Sequence, residues 1–206
     1  MPEFEAILFD FDGVLADTEP IHWACWSEVL RTCGVTLDWD FYRDQCIGID
    51  DREMLRVLAD RAVPPRRWES LWELYPSKKE LFRARMTIGS PFLPETAELI
   101  HSLHPNYALA VVSSSSTEEI EPMLEAGGLR QHFRTVVGGN QVKMQKPAPE
   151  PYLLAAERLG VRRALVLEDS AAGVASGRAA GFEVLSVSHP SGVPRLLRDR
   201  LARASL

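Results

Sequence analysis

In ILFDFDGVLADTEP, residues 7–20, an apolar run ends abruptly in two carboxylates and a glycine. Asp10 closes the run, one aromatic residue separates it from Asp12, and Gly13 permits a tight turn. The run begins earlier, as FEAILF at 4–9, and so nearly continuous an apolar segment reads as a strand buried on both faces of a parallel sheet. Residues two apart in an extended segment point the same way, which puts Asp10 and Asp12 side by side at the carboxyl end of the strand. That edge is where open α/β sheets bind ligands. Two acids this close repel each other and lose hydration, so the pair is costly unless it does chemistry. The plainer reading is an Asp-Gly turn with Asp12 as its cap.

Working outward, similar apolar runs recur at 107–112, 135–137, 164–167 and 183–187, with helical patterns at 94–103, 117–125, 149–159 and 171–180 between them. Strand and helix alternate, which predicts a doubly wound α/β sheet. The interval 16–90 breaks the rhythm and reads as helices alone, roughly 19–32, 40–45, 51–61, 65–74 and 77–88. Pro64 and Pro65 open one of these and Pro76 stands just before another, positions where a missing N–H is tolerated. All five tryptophans fall in this interval, so it is expected to be a small bundle with its own core. GSPFLPE at 89–95 is the linker returning to the sheet.

The chain has 206 residues, 46% of them hydrophobic, and a net charge of −6. That is enough core for one domain plus an insertion. The acidic balance argues against nucleic acid as a partner, and it requires any anionic substrate to meet a local positive site. No apolar run approaches a membrane span, and the N-terminus does not read as a signal peptide. The cysteines Cys25, Cys33 and Cys46 are odd in number and form no CxxC pair, as expected of reduced thiols. The expectation is a cytoplasmic monomer that contacts neither membrane nor nucleic acid.

Three further clusters sit at predicted strand ends. In VVSSSS, Ser113 opens a loop into a helix, and its hydroxyl with the loop amides makes an anion site, although serines also simply cap helices. In QKPAPEPY, Lys146 lies in a proline-stiffened loop, where an ammonium can neutralise a carboxylate or phosphate. In LVLEDSAAG, Glu168 and Asp169 leave a buried strand; converging with Asp10 they would suit Mg2+, and capping by Asp169 or Ser170 is the alternative. Gly173, Gly177 and Gly181 lack the lysine of a phosphate loop and read as a close packing face. Singly these signals are weak. Together they supply a nucleophile, an acid/base, a phosphate donor, a cation and a metal site on one edge of one sheet.

The order DFDGVLADTEP, VVSSSS, QKPAPEPY, LVLEDSAAGVASGRAAG resembles the haloacid dehalogenase-like superfamily, in its branch of β-phosphoglucomutase and small-molecule phosphatases such as phosphoglycolate phosphatase. The resemblance implies a Rossmann-like three-layer α/β/α core (1–15 and 92–206) with a mainly parallel sheet, and an α-helical cap (16–91) inserted after the first strand. It implies that Asp10 is the nucleophile, forming an aspartyl-phosphate. Asp12 becomes the general acid/base, with its main-chain carbonyl on Mg2+. Ser113 and the amide of Ser114 hold phosphoryl oxygens, Lys146 bridges Asp10 and the phosphate, and Asp169 with Glu168 completes the metal site. An acid at position 12 points to phosphoryl transfer, since the true dehalogenases lack it. Thr18 and His22 match a threonine and a histidine of the mutase, which makes both candidates for substrate contact. At GIDDRE the mutase's phosphate-binding arginine aligns with Asp51, and its cap lysine has no clear equivalent among Lys78, Lys79, Arg83 and Arg85. The expected function is therefore a Mg2+-dependent phosphatase of a small phosphate ester, such as a sugar or organic acid phosphate. A hexose-phosphate mutase is the alternative, and a non-catalytic binding module stands behind both. Residues 15–18 and 89–94 are the expected hinges through which the cap excludes water.

Overall fold

The computed structural model describes residues 3–47, 49–88 and 91–203. Five strands form one parallel sheet in the order β3-β2-β1-β4-β5: β1 Ala6–Phe9, β2 Ala108–Val112, β3 Thr135–Val137, β4 Ala164–Glu168 and β5 Glu183–Ser186. Phe9 stands beside Val111 on one side and Leu167 on the other, so the carboxyl ends of the three central strands are level. The residues that follow them, from Asp10, Ser113 and Asp169 onward, therefore share one edge. Strand order reverses at β1, where doubly wound sheets form their binding crevice.

Every residue of β1, β2 and β4 is buried, as strands covered on both faces must be. Helices α6 Pro94–Leu103, α7 Thr117–Ala126, α8 Glu150–Leu159, α9 Ala171–Ala179 and α10 Val193–Arg203 complete this unit. Ala6, Leu8, Ala110, Val112 and Val166 pack on one face with Tyr152 and Ala155 of α8. Ile7 and Phe9 alternate to the other, where Phe9 meets Phe133 edge-on at 6.2 Å. The result is the doubly wound sheet expected from the alternation, in the three-layer α/β/α core that the resemblance implied.

Between β1 and β2 run α1 Glu19–Arg31, α2 Trp39–Gln45, α3 Asp51–Arg61, α4 Trp68–Trp72 and α5 Tyr75–Ile88. The chain divides into two compact units, Met1–Asp17 with Gly89–Leu206, and Thr18–Ile88. Residues 16 and 17 side with the sheet because Ala16 bridges to Asp12 and Phe92, and the Asp17 amide donates to the Pro91 carbonyl at 3.1 Å. Of the expected hinge 89–94, residues 89 and 90 lie outside the described residues. Trp26 is fully buried in the helical unit, and Trp23, Trp39, Trp68 and Trp72 pack against the same cluster. The tryptophans are core, as expected. The Trp26 indole N–H donates to Asp51 Oδ1 at 2.8 Å, so burying it leaves no orphaned donor.

The structure departs from the sequence reading in three places. Helix α4 begins at Trp68, not 65. A proline disfavours helical geometry in the residue before it, and the Arg66 amide is drawn back to the Ala59 carbonyl at 3.0 Å, so the prolines precede the helix instead of opening it. Helix α5 starts at Tyr75 and takes Pro76 into its first turn. Past 187 the pattern names no element, yet α10 forms there. Its buried stripe is short, Val193 and Leu197, and Arg200 ties it to Glu3 and Glu183.

Candidate active site

Asp10 follows β1 directly, and its amide continues the ladder by donating to the Leu167 carbonyl at 3.0 Å. Its carboxylate is nearly sealed from solvent. The Lys146 ammonium, its side chain 5% exposed, donates to Asp10 Oδ1 at 2.5 Å, to Glu168 Oε1 at 2.5 Å and to the Val112 carbonyl at 2.9 Å. One lysine thus joins the ends of β1, β2 and β4, elements far apart along the chain. The fully buried Tyr152 hydroxyl donates to the same Glu168 Oε1 at 2.6 Å, and Ser170 Oγ donates to Oε2 at 3.1 Å. The first turn of α9 lies directly on this carboxylate: a Cβ at Gly173 would come 1.9 Å from its carbon.

The serine loop closes the other side. Ser113 is buried, and its Oγ accepts from the Ser115 amide at 3.0 Å, which leaves its own hydroxyl proton to donate. Ser114 is exposed. Ser115 Oγ donates to Asp12 Oδ2 at 3.4 Å, so the loop reaches the second aspartate as well. Gly138 and Gly139 let the next loop press against it: side chains there would sit 2.5 Å from the Thr117 nitrogen and 2.3 Å from the Ser114 carbonyl oxygen.

Charge is concentrated beyond what a buried edge tolerates. Burial pushes the Asp10 carboxyl well above its usual range, outweighing the Lys146 ammonium, with Glu168 and Asp12 adding to the rise. Partial burial and the charge of Glu168 raise Asp169 to about 6. Burial opposes the charge on Lys146, but Asp10 and Glu168 together more than reverse this and hold it above the ordinary lysine value. The lysine stays charged, and the carboxylates remain short of positive charge.

That deficit is what a divalent cation would fill. Asp10, Glu168 and Asp169 each offer an oxygen within 4.8 Å of the others, and they are the one such group among the described residues. Hard oxygens in this number suit Mg2+. Gly13, at φ +75°, makes room: a Cβ there would lie 2.0 Å from Asp169 Oδ2. Ser170, not Asp169, caps α9 by accepting from the Gly173 amide at 3.0 Å, so Asp169 is not spent on the helix. The Asp12 carboxylate stands outside this group.

Of the sequence candidates, Asp10, Asp12, Ser113, Ser114, Lys146, Glu168 and Asp169 thus gather at one edge of the sheet unit. Thr18 and His22 belong to the helical unit. Thr18 is buried, and its carbonyl accepts from the Ile21 and His22 amides. His22 stacks on Phe82 at 4.2 Å, and its Nδ1 accepts from Lys78 at 2.8 Å. Burial and the Lys78 charge lower its pKa to about 3, so the ring is neutral at neutral pH. Lys78 also pairs with Asp51 at 3.2 Å, and Arg52 stacks over Trp72. Of the three glycines read as a packing face, Gly177 does press on Val184 and Val166, Gly173 lies on Glu168, and Gly181 ends the helix at φ +83°. Sequence reasoning missed Tyr152, Ser115 and the Val112 carbonyl. Tyr152 stood at the end of QKPAPEPY, and nothing in its local sequence signals that its hydroxyl reaches Glu168.

Comparison with known proteins follows the same outline. A profile described as haloacid dehalogenase-like hydrolase matches residues 7–187. A phosphorylated carbohydrates phosphatase of Thermotoga maritima is 33% identical over 181 residues, covering 87% of this chain and 82% of that protein. The fructose-1-phosphate phosphatase YqaB of Escherichia coli is 31% identical over 192 residues, covering 89% and 96%. Among solved structures, a HAD family hydrolase from Deinococcus radiodurans with bound phosphate and sodium superposes with a TM-score of 0.76 at 28% identity, covering 100% of this chain and 98% of that one. No helix among the described residues is long and apolar enough to cross a membrane.

Proposed function

The chain belongs to the haloacid dehalogenase-like hydrolases, and from that premise we propose that it is a Mg2+-dependent phosphatase of small sugar or polyol phosphates. It acts through an aspartyl-phosphate on Asp10. The observation that carries this reading is the Lys146 ammonium, held 2.5 Å from both Asp10 and Glu168 at the edge where Ser113 and three metal-suited carboxylates also stand. Its relatives include a phosphorylated carbohydrates phosphatase and a fructose-1-phosphate phosphatase, which supports the sugar-phosphate class.

The chemistry needs this set of residues. Two unit charges about 4 Å apart at an effective dielectric near 20 repel by about 4 kcal/mol, so a phosphate dianion facing ionised Asp10 meets roughly 8 kcal/mol. Lys146 removes part of that. Asp10, Glu168 and Asp169, with the Asp12 carbonyl, would hold Mg2+, which when bound supplies the remaining positive charge and polarises the phosphoryl group. The Ser113 hydroxyl and the Ser114 amide orient the phosphoryl oxygens. Asp10 attacks phosphorus while Asp12 gives its proton to the leaving alcohol. Asp12 then takes a proton from water, which attacks the phosphorus and frees phosphate and Asp10. Asp10 and Asp12 thus divide the work between nucleophile and proton carrier.

The inserted helical unit, as a cap, is assigned the choice of substrate. Thr18 and His22 serve it, and His22, with Nδ1 occupied by Lys78, has only Nε2–H to offer. A mutase must grip two phosphates. In this unit the resemblance puts Asp51 in the slot of the mutase's arginine, while Lys78 is committed to Asp51 and His22, and Arg52 is stacked on Trp72. One phosphate is the better fit. Three free cysteines accord with work in a reducing compartment such as the cytoplasm.

Asp10→Asn tests the reading against a panel of sugar and polyol phosphates with Mg2+. Phosphate release should fall by about 10⁴-fold or more; persistence on every accepted ester refutes the mechanism. Conversion of a hexose 1-phosphate, primed with its bisphosphate, to the 6-phosphate without free phosphate would establish the mutase instead.

A further inference from the structure

We infer that Tyr152 is a positioning residue, whose hydroxyl and ring hold Glu168 and Lys146 so that the lysine's charge is shared with Asp10. The inference rests on the phosphatase reading above and adds a group to it that touches neither substrate nor metal.

Tyr152 lies in the first turn of α8 and is fully buried in the cluster beneath the sheet. A phenylalanine would fill that space without bringing a polar atom into hydrocarbon, so the hydroxyl needs its own explanation. Its partner supplies one. Glu168 Oε1 accepts from the Tyr152 hydroxyl at 2.6 Å and from Lys146 Nζ at 2.5 Å, while Oε2 faces Ser170. The Lys146 ammonium also sits 5.2 Å from the centre of the Tyr152 ring, within cation–π reach. One cation therefore stands between two carboxylates, and among the described residues only Glu168 of the two has a second strong donor. By satisfying part of Glu168, the hydroxyl weakens its hold on the lysine and leaves the ammonium available to Asp10 and the Val112 carbonyl. Without the hydroxyl, Glu168 would draw the ammonium to itself. Asp10 would then face an incoming phosphate with less compensation. Position 152 thus tunes how one positive charge is divided.

The test is a double-mutant cycle of Tyr152→Phe with Lys146→Ala in the full-length chain, using p-nitrophenyl phosphate for turnover, calorimetry for inorganic phosphate binding, and thermal melting. Tyr152→Phe keeps the ring, so melting should stay cooperative, kcat should fall about tenfold with KM nearly unchanged, and phosphate affinity should fall severalfold. In the Lys146→Ala background the same change should cost less than about twofold, because the group it acts through is gone. Equal losses in both backgrounds, or kcat and phosphate affinity unchanged in Tyr152→Phe, overturn the inference. Should Tyr152→Phe fail to fold, 3,5-difluorotyrosine placed at 152 keeps the shape while strengthening the donor, and unchanged kcat and phosphate affinity would overturn it equally. If Asp10→Asn keeps full turnover, the phosphatase mechanism itself fails; if Asp10→Asn is inactive and Tyr152→Phe matches the parent, only the role of Tyr152 is lost.

Discussion

Lys146 holds two buried carboxylates whose charges would otherwise face each other across the end of the sheet. Removing a cation from such a cluster strands the partner charges, which typically costs about 3–5 kcal/mol. Lys146→Ala should therefore lower the melting temperature at neutral pH as well as turnover, and the deficit should shrink in acid as Asp10, whose carboxyl burial holds well above its usual range, takes up a proton. A melting curve unchanged between pH 7 and 5 relative to the parent would contradict this. Gly13 is the opposite kind of residue, needed for what it lacks. Gly13→Ala strains a backbone at φ +75° and places a methyl 2.0 Å from Asp169 Oδ2. It should weaken Mg2+ binding by about tenfold or more while leaving the helical unit's melting alone. Calorimetric titration with Mg2+ reads this directly. Both residues were nameable in the sequence. Which carboxylates the lysine joins was not, because Asp10, Lys146 and Glu168 are distant in the chain and only strand order makes them neighbours.

Helix α8 shows how an element can serve a site from outside it. The Glu150 carboxylate, in its first turn, accepts from the Lys143 amide at 2.8 Å and the Met144 amide at 2.9 Å, and these bonds lower its pKa. It thereby anchors the loop that delivers Lys146. Glu150→Ala should reduce kcat about tenfold through misplacement of the lysine, with little change in KM, and Glu150→Asp should recover part of it. Unaltered kcat in Glu150→Ala would show that the loop holds without this anchor. The helices read at 94–103, 51–61 and 149–159 were legible from their periodicity, and the structure shows local chemistry at their ends: Pro94 starts α6, the Asp50 side chain caps α3 by accepting from the Arg52 and Glu53 amides, and Gly160 ends α8 in the left-handed region. Helix α10 was not, because the ion pairs of Arg200 with Glu3 and Glu183 come from the far end of the chain and from another strand.

At the scale of the molecule, each unit has its own response to pH. In the helical unit, His22 is held down at about 3, while the unfolded chain takes up the same proton near the ordinary 6.5. Its folded pKa is depressed, so the stability linked to it is full above 6.5 and is lost as pH falls, by about 1.4 kcal/mol per pH unit down to about pH 3. Replacing His22 by Gln should flatten that part of the stability profile, and an unchanged slope would show that another group titrates. In the sheet unit, Asp169, raised to about 6, makes protons compete with the metal. Saturating Mg2+ at about 100-fold over its Kd should stabilise this unit by about 2.7 kcal/mol at neutral pH. The gain should fade below about pH 6 and be reversed by chelation, and a melting temperature blind to Mg2+ at pH 7 would exclude a metal site.

The amino-acid sequence by itself determined the alternation of strand and helix, the helical insertion with its tryptophan core, and the residue types that do the chemistry. Those follow from local rules: periodicity, turn residues, and acids at the ends of apolar runs. Only the tertiary structure decided that Lys146 is divided between Asp10 and Glu168, that Ser170 caps α9 in place of Asp169, and that Tyr152 reaches into the charge cluster. Those facts depend on through-space contacts whose energy is set by burial and separation, neither of which a linear order of residues contains.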